Sequence, residues 1–118
     1  MPVQVGLLRC YPDLAGRLAQ TGSLPKEAAN DQRIGGLLDI TAKERQFMDM
    51  SNNNYKRKFG FTFVICLREN KKETVMKEIV RRLDHSSEQE IKNGIAEVEK
   101  IAWLRICDII DPLAASNL

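Results

Sequence analysis

Arg105 is the residue whose placement most demands a chemical explanation. Wound at about 100° per residue, the last periodic segment puts Arg105 between Val98 and Ile101 on its apolar arc, with Lys92 and Lys100 on the polar side. A guanidinium turned towards a core cannot shed its charge, so it must find an anion or several acceptors. Two possibilities stay open at this level: a structural salt bridge or snorkelling side chain, and an anion clamp in a pocket. Both predict a partner. Other chemistry is sparse. His85 is the single histidine, which argues against a Cys/His zinc site and against a triad with histidine beside its nucleophile. It lies near a predicted helix end and reads as a solvated loop residue. Cys10, Cys66 and Cys107 are odd in number and lack C-x-x-C spacing. They read as small buried hydrophobes in a reducing compartment.

The scaffold that must position Arg105 is small. A chain of 118 residues suffices for one domain and not for two. With 43% hydrophobic and 29% charged residues it has an ordinary globular balance, which argues against disorder and against a disulfide-framed miniprotein. A net charge of +2 gives no reason to expect nucleic acid as a partner. The first residues lack the basic start of a signal peptide. The longest apolar run, Phe61 to Leu67, is far shorter than the roughly 20 residues a membrane helix needs, so a soluble chain with no membrane partner is expected.

The pattern predicts a string of helices. Val3 to Cys10 is short and apolar, and Pro12 stops it. Asp13 to Gln20 allows a turn or two, closed by Thr21-Gly22. Pro25 suits the first turn of a helix running to about Gly35-Gly36. Thr41 and Glu44 have capping-box spacing and predict helix from Ala42 to about Lys58. Asn70 with Glu73 predicts helix from Lys71 to about Leu83, and Ser87 with Glu90 starts the last one, whose apolar face runs through Ile91, Ile95, Val98, Ala102 and Ile109. Phe59 to Leu67 has strand composition but no second strand to pair with, so it reads as a buried extended segment. The expectation is an all-α domain over residues 1–111, at least half helical, followed by a loose tail at 112–118.

Four linked stretches carry a resemblance. Leu8 to Arg17 contains Tyr11-Pro12-Asp13-Leu14-Ala15-Gly16. Ala28-Ala29-Asn30-Asp31-Gln32 follows, then Tyr55 to Phe63 with its basic run and Phe-Gly-Phe, then Glu97 to Arg105. In order and spacing these resemble the 2-oxo-4-hydroxy-4-carboxy-5-ureidoimidazoline (OHCU) decarboxylases, with their His-Pro-x-Leu-Ala-Gly, Ser-x-x-Glu-Gln and Phe-Gly-Phe-Pro-Phe motifs. The resemblance spans Gly6 to about Ile110. It implies a compact all-α bundle, a homodimer, and cofactor-free, metal-free decarboxylation to (S)-allantoin in urate breakdown. It implies catalytic positions at Tyr11, Asp31 and Arg105. It also implies substrate contacts at Pro12, at Ala28, Ala29, Asn30, Asp31 and Gln32, and along Phe63, Val64, Ile65, Cys66 and Leu67, whose backbone groups would face a ureido group.

The chain departs from the family at the centre of the site. Tyr11 stands where the family has its catalytic histidine, Asp31 where it has glutamate, Ala28 for the serine and Thr62 for the proline. A phenol, with an ordinary pKa of about 10, is a much weaker acid than imidazolium. Two functions therefore stand side by side: a decarboxylase, impaired or not, and a non-catalytic relative that binds a small ureide anion. Several helices normally precede the His-Pro motif in this family, whereas Met1 lies ten positions before Tyr11. A bundle lacking the first family helices would leave Val3, Leu7 or Leu8 and parts of the last helix exposed. The closing Ser116-Asn117-Leu118 resembles a peroxisomal Ser-Lys-Leu signal, so peroxisomal or cytoplasmic residence is expected.

Overall fold

The computed structural model describes residues 3–111. The expected tail from Pro112 and the Ser116-Asn117-Leu118 tripeptide lie outside them. The described residues form six helices and no strand: α1 (Val3–Arg9), α2 (Arg17–Gln20), α3 (Lys26–Ile34), α4 (Ala42–Phe59), α5 (Lys72–Arg82) and α6 (Ser87–Ile110). More than half of the chain is helical, as the spacing of caps and apolar residues predicts. No helix among the described residues is long and apolar enough to cross a membrane.

Local caps set the long helices. Thr41 Oγ1 accepts from the Glu44 amide at 3.1 Å while the Thr41 amide donates to Glu44 Oε1 at 2.9 Å, closing the box that starts α4. Gly60 ends α4 at φ +81°, a left-handed turn that side chains resist. It directs the chain into the centre of the molecule. Three expectations shift. The second helix is a single turn, Arg17–Gln20, rather than a run from Asp13. Helix α5 is capped by Lys71, without a side-chain bond, and Asn70 Nδ2 donates to the Cys66 carbonyl instead. The box at the start of α6 is Ser86 with Gln89, one residue before the Ser87–Glu90 pair.

The register of α6 explains that last shift. Its inward stripe runs Glu90, Gly94, Val98, Ile101, then Arg105 and Asp108, at steps of three and four. Gly94 lets α1 pack closely on α6: a Cβ there would stand 2.8 Å from Leu8 Cδ2, so the buried Leu8 side chain would have to shift. Ile91 and Ile95 flank this stripe, part-buried, whereas Ala102 and Ile109 are exposed. Val3, Leu7, Trp103, Ile106 and Ile110 are also exposed, while Leu8 is wholly buried.

Glu90 cannot cap because the core uses it. It has no exposed surface and accepts from Tyr55 Oη at 2.6 Å and Arg82 Nε at 2.8 Å on one oxygen. On the other it meets Asn93 Nδ2 and His85 Nδ1, each at 2.8 Å. His85 is thus a part-buried partner of Glu90 and not a solvated loop residue. Burial works to raise the Glu90 pKa, but donors from Tyr55, Asn93 and Arg82 outweigh it and hold the carboxyl below its usual range. Its stabilising contribution is present above the unfolded pKa of about 4.3 and is lost as pH falls through the lower folded value. Glu90→Ala leaves Arg82 buried and unpaired. It is expected to cost about 3–5 kcal/mol, read as a drop in the urea midpoint at pH 7, with the difference from wild type shrinking in acid. A loss below about 1 kcal/mol would mean the pair behaves like an exposed one.

The extended segment Phe61–Leu67 is buried throughout and joins no ladder. Side chains replace the missing strand. Arg82 Nη1 donates to the Val64 carbonyl at 2.9 Å, and the Cys66 amide donates to Glu97 Oε1 at 3.1 Å. Tyr55 anchors the start of the segment by stacking edge-on against Phe61 and Phe63, with centroids at 6.0 and 5.3 Å.

Candidate active site

The turn after α1 carries Tyr11 and is pinned from three directions. Gln32 Oε1 accepts from the Ala15 amide at 3.0 Å and its Nε2 donates to the Asp13 carbonyl at 3.2 Å. Asn52 Nδ2 donates to the Leu14 carbonyl at 3.0 Å. Lys56 Nζ pairs with Asp13 Oδ2 at 2.7 Å. Ala15 sits at φ +54°, a left-handed conformation costing a non-glycine residue roughly 1–2 kcal/mol, which these bonds offset. Tyr11 therefore leaves a fixed backbone.

Facing it are α3, α6 and the extended segment. A narrow pocket is lined by Tyr11 and Pro12 from the turn, Ala28, Asp31 and Gln32 from α3, and Arg105 from α6. Phe63, Val64, Ile65 and Leu67 make its wall, with Leu14 and Ile101 beneath. A second hollow shares Tyr11, Pro12, Ala28 and Arg105, so Tyr11 and Arg105 border both spaces. Three residues expected at the site lie outside the lining. Ala29 and Asn30 are on the far side of α3, where Asn30 accepts from Arg33. The Cys66 amide and carbonyl are taken by Glu97 and Asn70, and the Val64 carbonyl by Arg82. Backbone groups at 64 and 66 are thus turned to the protein's own side chains. The Val64 amide and the amide and carbonyl of Ile65 make no hydrogen bond among the described residues. Gln32 lines the pocket, but its amide holds the turn.

The electrostatics centre on Asp31. Arg105 Nη2 donates to Asp31 Oδ2 at 2.9 Å; the helix angle predicts an anionic partner or several acceptors without naming one. Arg105 keeps 31% of its side-chain surface, and its Nε is buried without an acceptor. Asp31 Oδ1 takes a second guanidinium, Arg68 Nε at 3.2 Å. Arg68 in turn forms a bidentate pair with Asp108, Nη1 to Oδ1 at 2.7 Å and Nη2 to Oδ2. The sequence pattern does not single out Arg68 or Asp108. One signal existed for Asp108: it lies three residues after Arg105 on the same helix face. Tyr11 is part-buried. Its desolvation raises the phenol pKa above its ordinary value; the nearby Arg105 works against this and Asp31 adds to it.

Such a site combines a fixed cation, a carboxylate that shares it, a phenol and an open stretch of peptide. It suits a small planar anion with amide-like edges. The family model for OHCU decarboxylase matches residues 2–107. A Xenopus laevis OHCU decarboxylase is 47% identical over 104 residues, which cover 88% of this chain and 59% of the relative. One from Amia calva is 43% identical over 107 residues, covering 91% and 61%. The chain thus spans about three-fifths of the length of these relatives. In fold it resembles a crystal structure of OHCU decarboxylase obtained in the presence of (S)-allantoin, with a TM-score of 0.72 at 22% identity, covering 90% of this chain and 66% of that one.

Proposed function

The chain belongs to the OHCU decarboxylase family, and on that premise we propose that its pocket binds 2-oxo-4-hydroxy-4-carboxy-5-ureidoimidazoline and directs its decarboxylation to (S)-allantoin in urate degradation. The supporting observation is that Tyr11, Asp31 and Arg105 meet around one pocket walled by Phe63, Val64, Ile65 and Leu67. In the proposed complex the substrate carboxylate lies against the Arg105 guanidinium, and the ureido group against Ile65 and its neighbours. Ala28 and Pro12 shape the ring's edge. The bond to the carboxylate breaks and carbon dioxide leaves. Its electron pair passes into the ring as an enolate-type anion, so no metal or cofactor need accept it. A proton then closes the carbon from one face. The protein's part is orientation, charge stabilisation and delivery of that proton.

Tyr11 stands at the position of the proton donor, with its phenol pushed up by burial. Replacing a matched acid costs roughly 10²- to 10⁴-fold, so slow turnover is expected. The same raised phenol favours the second reading, a relative that binds the ureide without turning it over. Purified protein mixed with freshly generated substrate separates the two. Spontaneous protonation strikes both faces and gives racemic allantoin. A circular-dichroism signal of one enantiomer, growing with protein concentration, is expected. A racemate at every concentration leaves the binding role.

The reading extends to a single helical domain over residues 1–111 acting as a homodimer, for which the exposed Trp103, Ile106 and Ile110 offer apolar surface. Sedimentation showing monomer alone would remove that part. Peroxisomal residence would rest on Ser116-Asn117-Leu118 and is checked by imaging a fusion that keeps this C-terminus free.

A further inference from the structure

Four charged side chains form an alternating chain that starts at the pocket with Arg105 and Asp31 and continues behind it with Arg68 and Asp108. Arg68 and Asp31 are nearly out of solvent, at 8% and 9% side-chain exposure. Each Asp31 oxygen has one guanidinium. Oδ2 meets Arg105 Nη2 and Oδ1 meets Arg68 Nε. Paired arginine and carboxylate ordinarily form two parallel bonds. Here Asp31 makes one bond to Arg105, because its other oxygen is held by Arg68. Arg105 Nε is left buried with no acceptor, although leaving a buried donor unpaired is destabilising. The missing partner is one oxygen, beside a guanidinium that already borders the pocket.

We propose that Arg68 is a positioning residue that withholds Asp31 from the Nε edge of Arg105 and so leaves that edge without a protein acceptor, for a ligand carboxylate that displaces Asp31 to take. Asp108 holds the opposite edge of Arg68 and fixes the direction in which it presents Nε. When a carboxylate arrives at Arg105, Asp31 yields without becoming a buried charge with no partner, because Arg68 still holds it. A carboxylate left unpaired at that depth would oppose binding. The identity of the carboxylate rests on the ureide reading above; the geometry does not.

The test uses the whole chain and two readouts. The first is solvent exchange of the Arg105 Nε–H, followed by nitrogen-15 NMR without ligand. In Arg68→Gln, Asp31 is free to turn its second oxygen onto Arg105, so exchange is expected to slow about fivefold or more. In Asp108→Asn, Arg68 still holds Asp31 and the exchange rate should stay near wild type. A merely structural ion-pair chain predicts that both variants behave alike, and that result would overturn the proposal. Should Arg68→Gln fail to fold with Asp108 unpaired, the double variant Arg68→Gln/Asp108→Asn removes both charges and is expected to slow exchange equally. The second readout is affinity for allantoate, which carries a carboxylate, against neutral allantoin. Arg68→Gln should weaken allantoate about tenfold, the worth of one charge-assisted bond, and allantoin by less than about threefold. Equal loss of both overturns the proposal. If wild type binds neither probe, the ureide reading fails, and the exchange measurement still decides the role of Arg68.

Discussion

Replacing Tyr11 by histidine is expected to raise the formation of optically active allantoin by roughly 10²-fold or more, the lower end of what a matched general acid contributes. The turn that presents position 11 is held by Gln32, Asn52 and Lys56 through bonds to residues 13–15 and not to the Tyr11 hydroxyl. The substitution therefore changes the acid and leaves its mounting in place. A phenol whose pKa is raised by burial stays protonated across the physiological range but gives up its proton reluctantly. An imidazolium, with an ordinary pKa near 6.5, donates readily. The two chains should also differ in pH dependence. The acid form must be present, so the rate holds below the donor's pKa and is lost above it. In wild type that loss comes beyond the ordinary phenol value of about 10, while in Tyr11→His it falls near neutrality. A folded Tyr11→His protein that stays at the spontaneous rate would show that the acid is not what is missing. Asp31, one methylene shorter than the family's glutamate, would then be the next residue to restore.

The parts of this molecule that were legible in the sequence are those decided within a few residues. Thr41 and Glu44 read correctly as a capping box because both partners lie in one turn. Ser87 and Glu90 read one residue late because Ser86 with Gln89 satisfies the same spacing. What separates the two pairs is tertiary: Glu90 is taken by Tyr55 and Arg82, and the nearer of these lies eight residues away. His85 was misread for the same reason, since a ring at a helix end looks solvated until the buried carboxylate beside it is known. The segment from Phe61 to Leu67 was legible as extended and partnerless. Its solution, arginine and glutamate side chains in place of a strand, was not. At the site, helix angle alone gave Arg105 a partner, and the family motif put Asp31 in reach. Arg68 carries no periodic signal, because it follows an irregular segment and its contacts lie 37 and 40 residues away.

Arg105→Ala is expected to weaken allantoate binding by about ten- to a hundredfold while leaving the fold nearly as stable as before. The two effects separate because of how Asp31 is shared. Removing Arg105 takes away the cation that meets the ligand carboxylate, worth about 1.5–3 kcal/mol for one charge-assisted bond and more for two. Affinity should fall by at least about tenfold for one bond and about a hundredfold for a bidentate pair. Asp31 keeps Arg68 Nε, so no buried carboxylate is stranded, and the unsatisfied Arg105 Nε disappears with its side chain. Asp31→Ala is the contrasting change. It leaves the nearly buried Arg68 with Asp108 as its remaining carboxylate and strips Arg105 of its Asp31 partner, so it should destabilise by about 3–5 kcal/mol, the usual result of breaking a buried pair from one side. Calorimetric titration with allantoate and urea unfolding of both variants check the two halves together. Arg105→Ala that still binds allantoate with wild-type affinity would remove the guanidinium from the site and leave it as a strut between α3 and α6. In that case Arg105→Ala, and not Asp31→Ala alone, should show the large loss of stability.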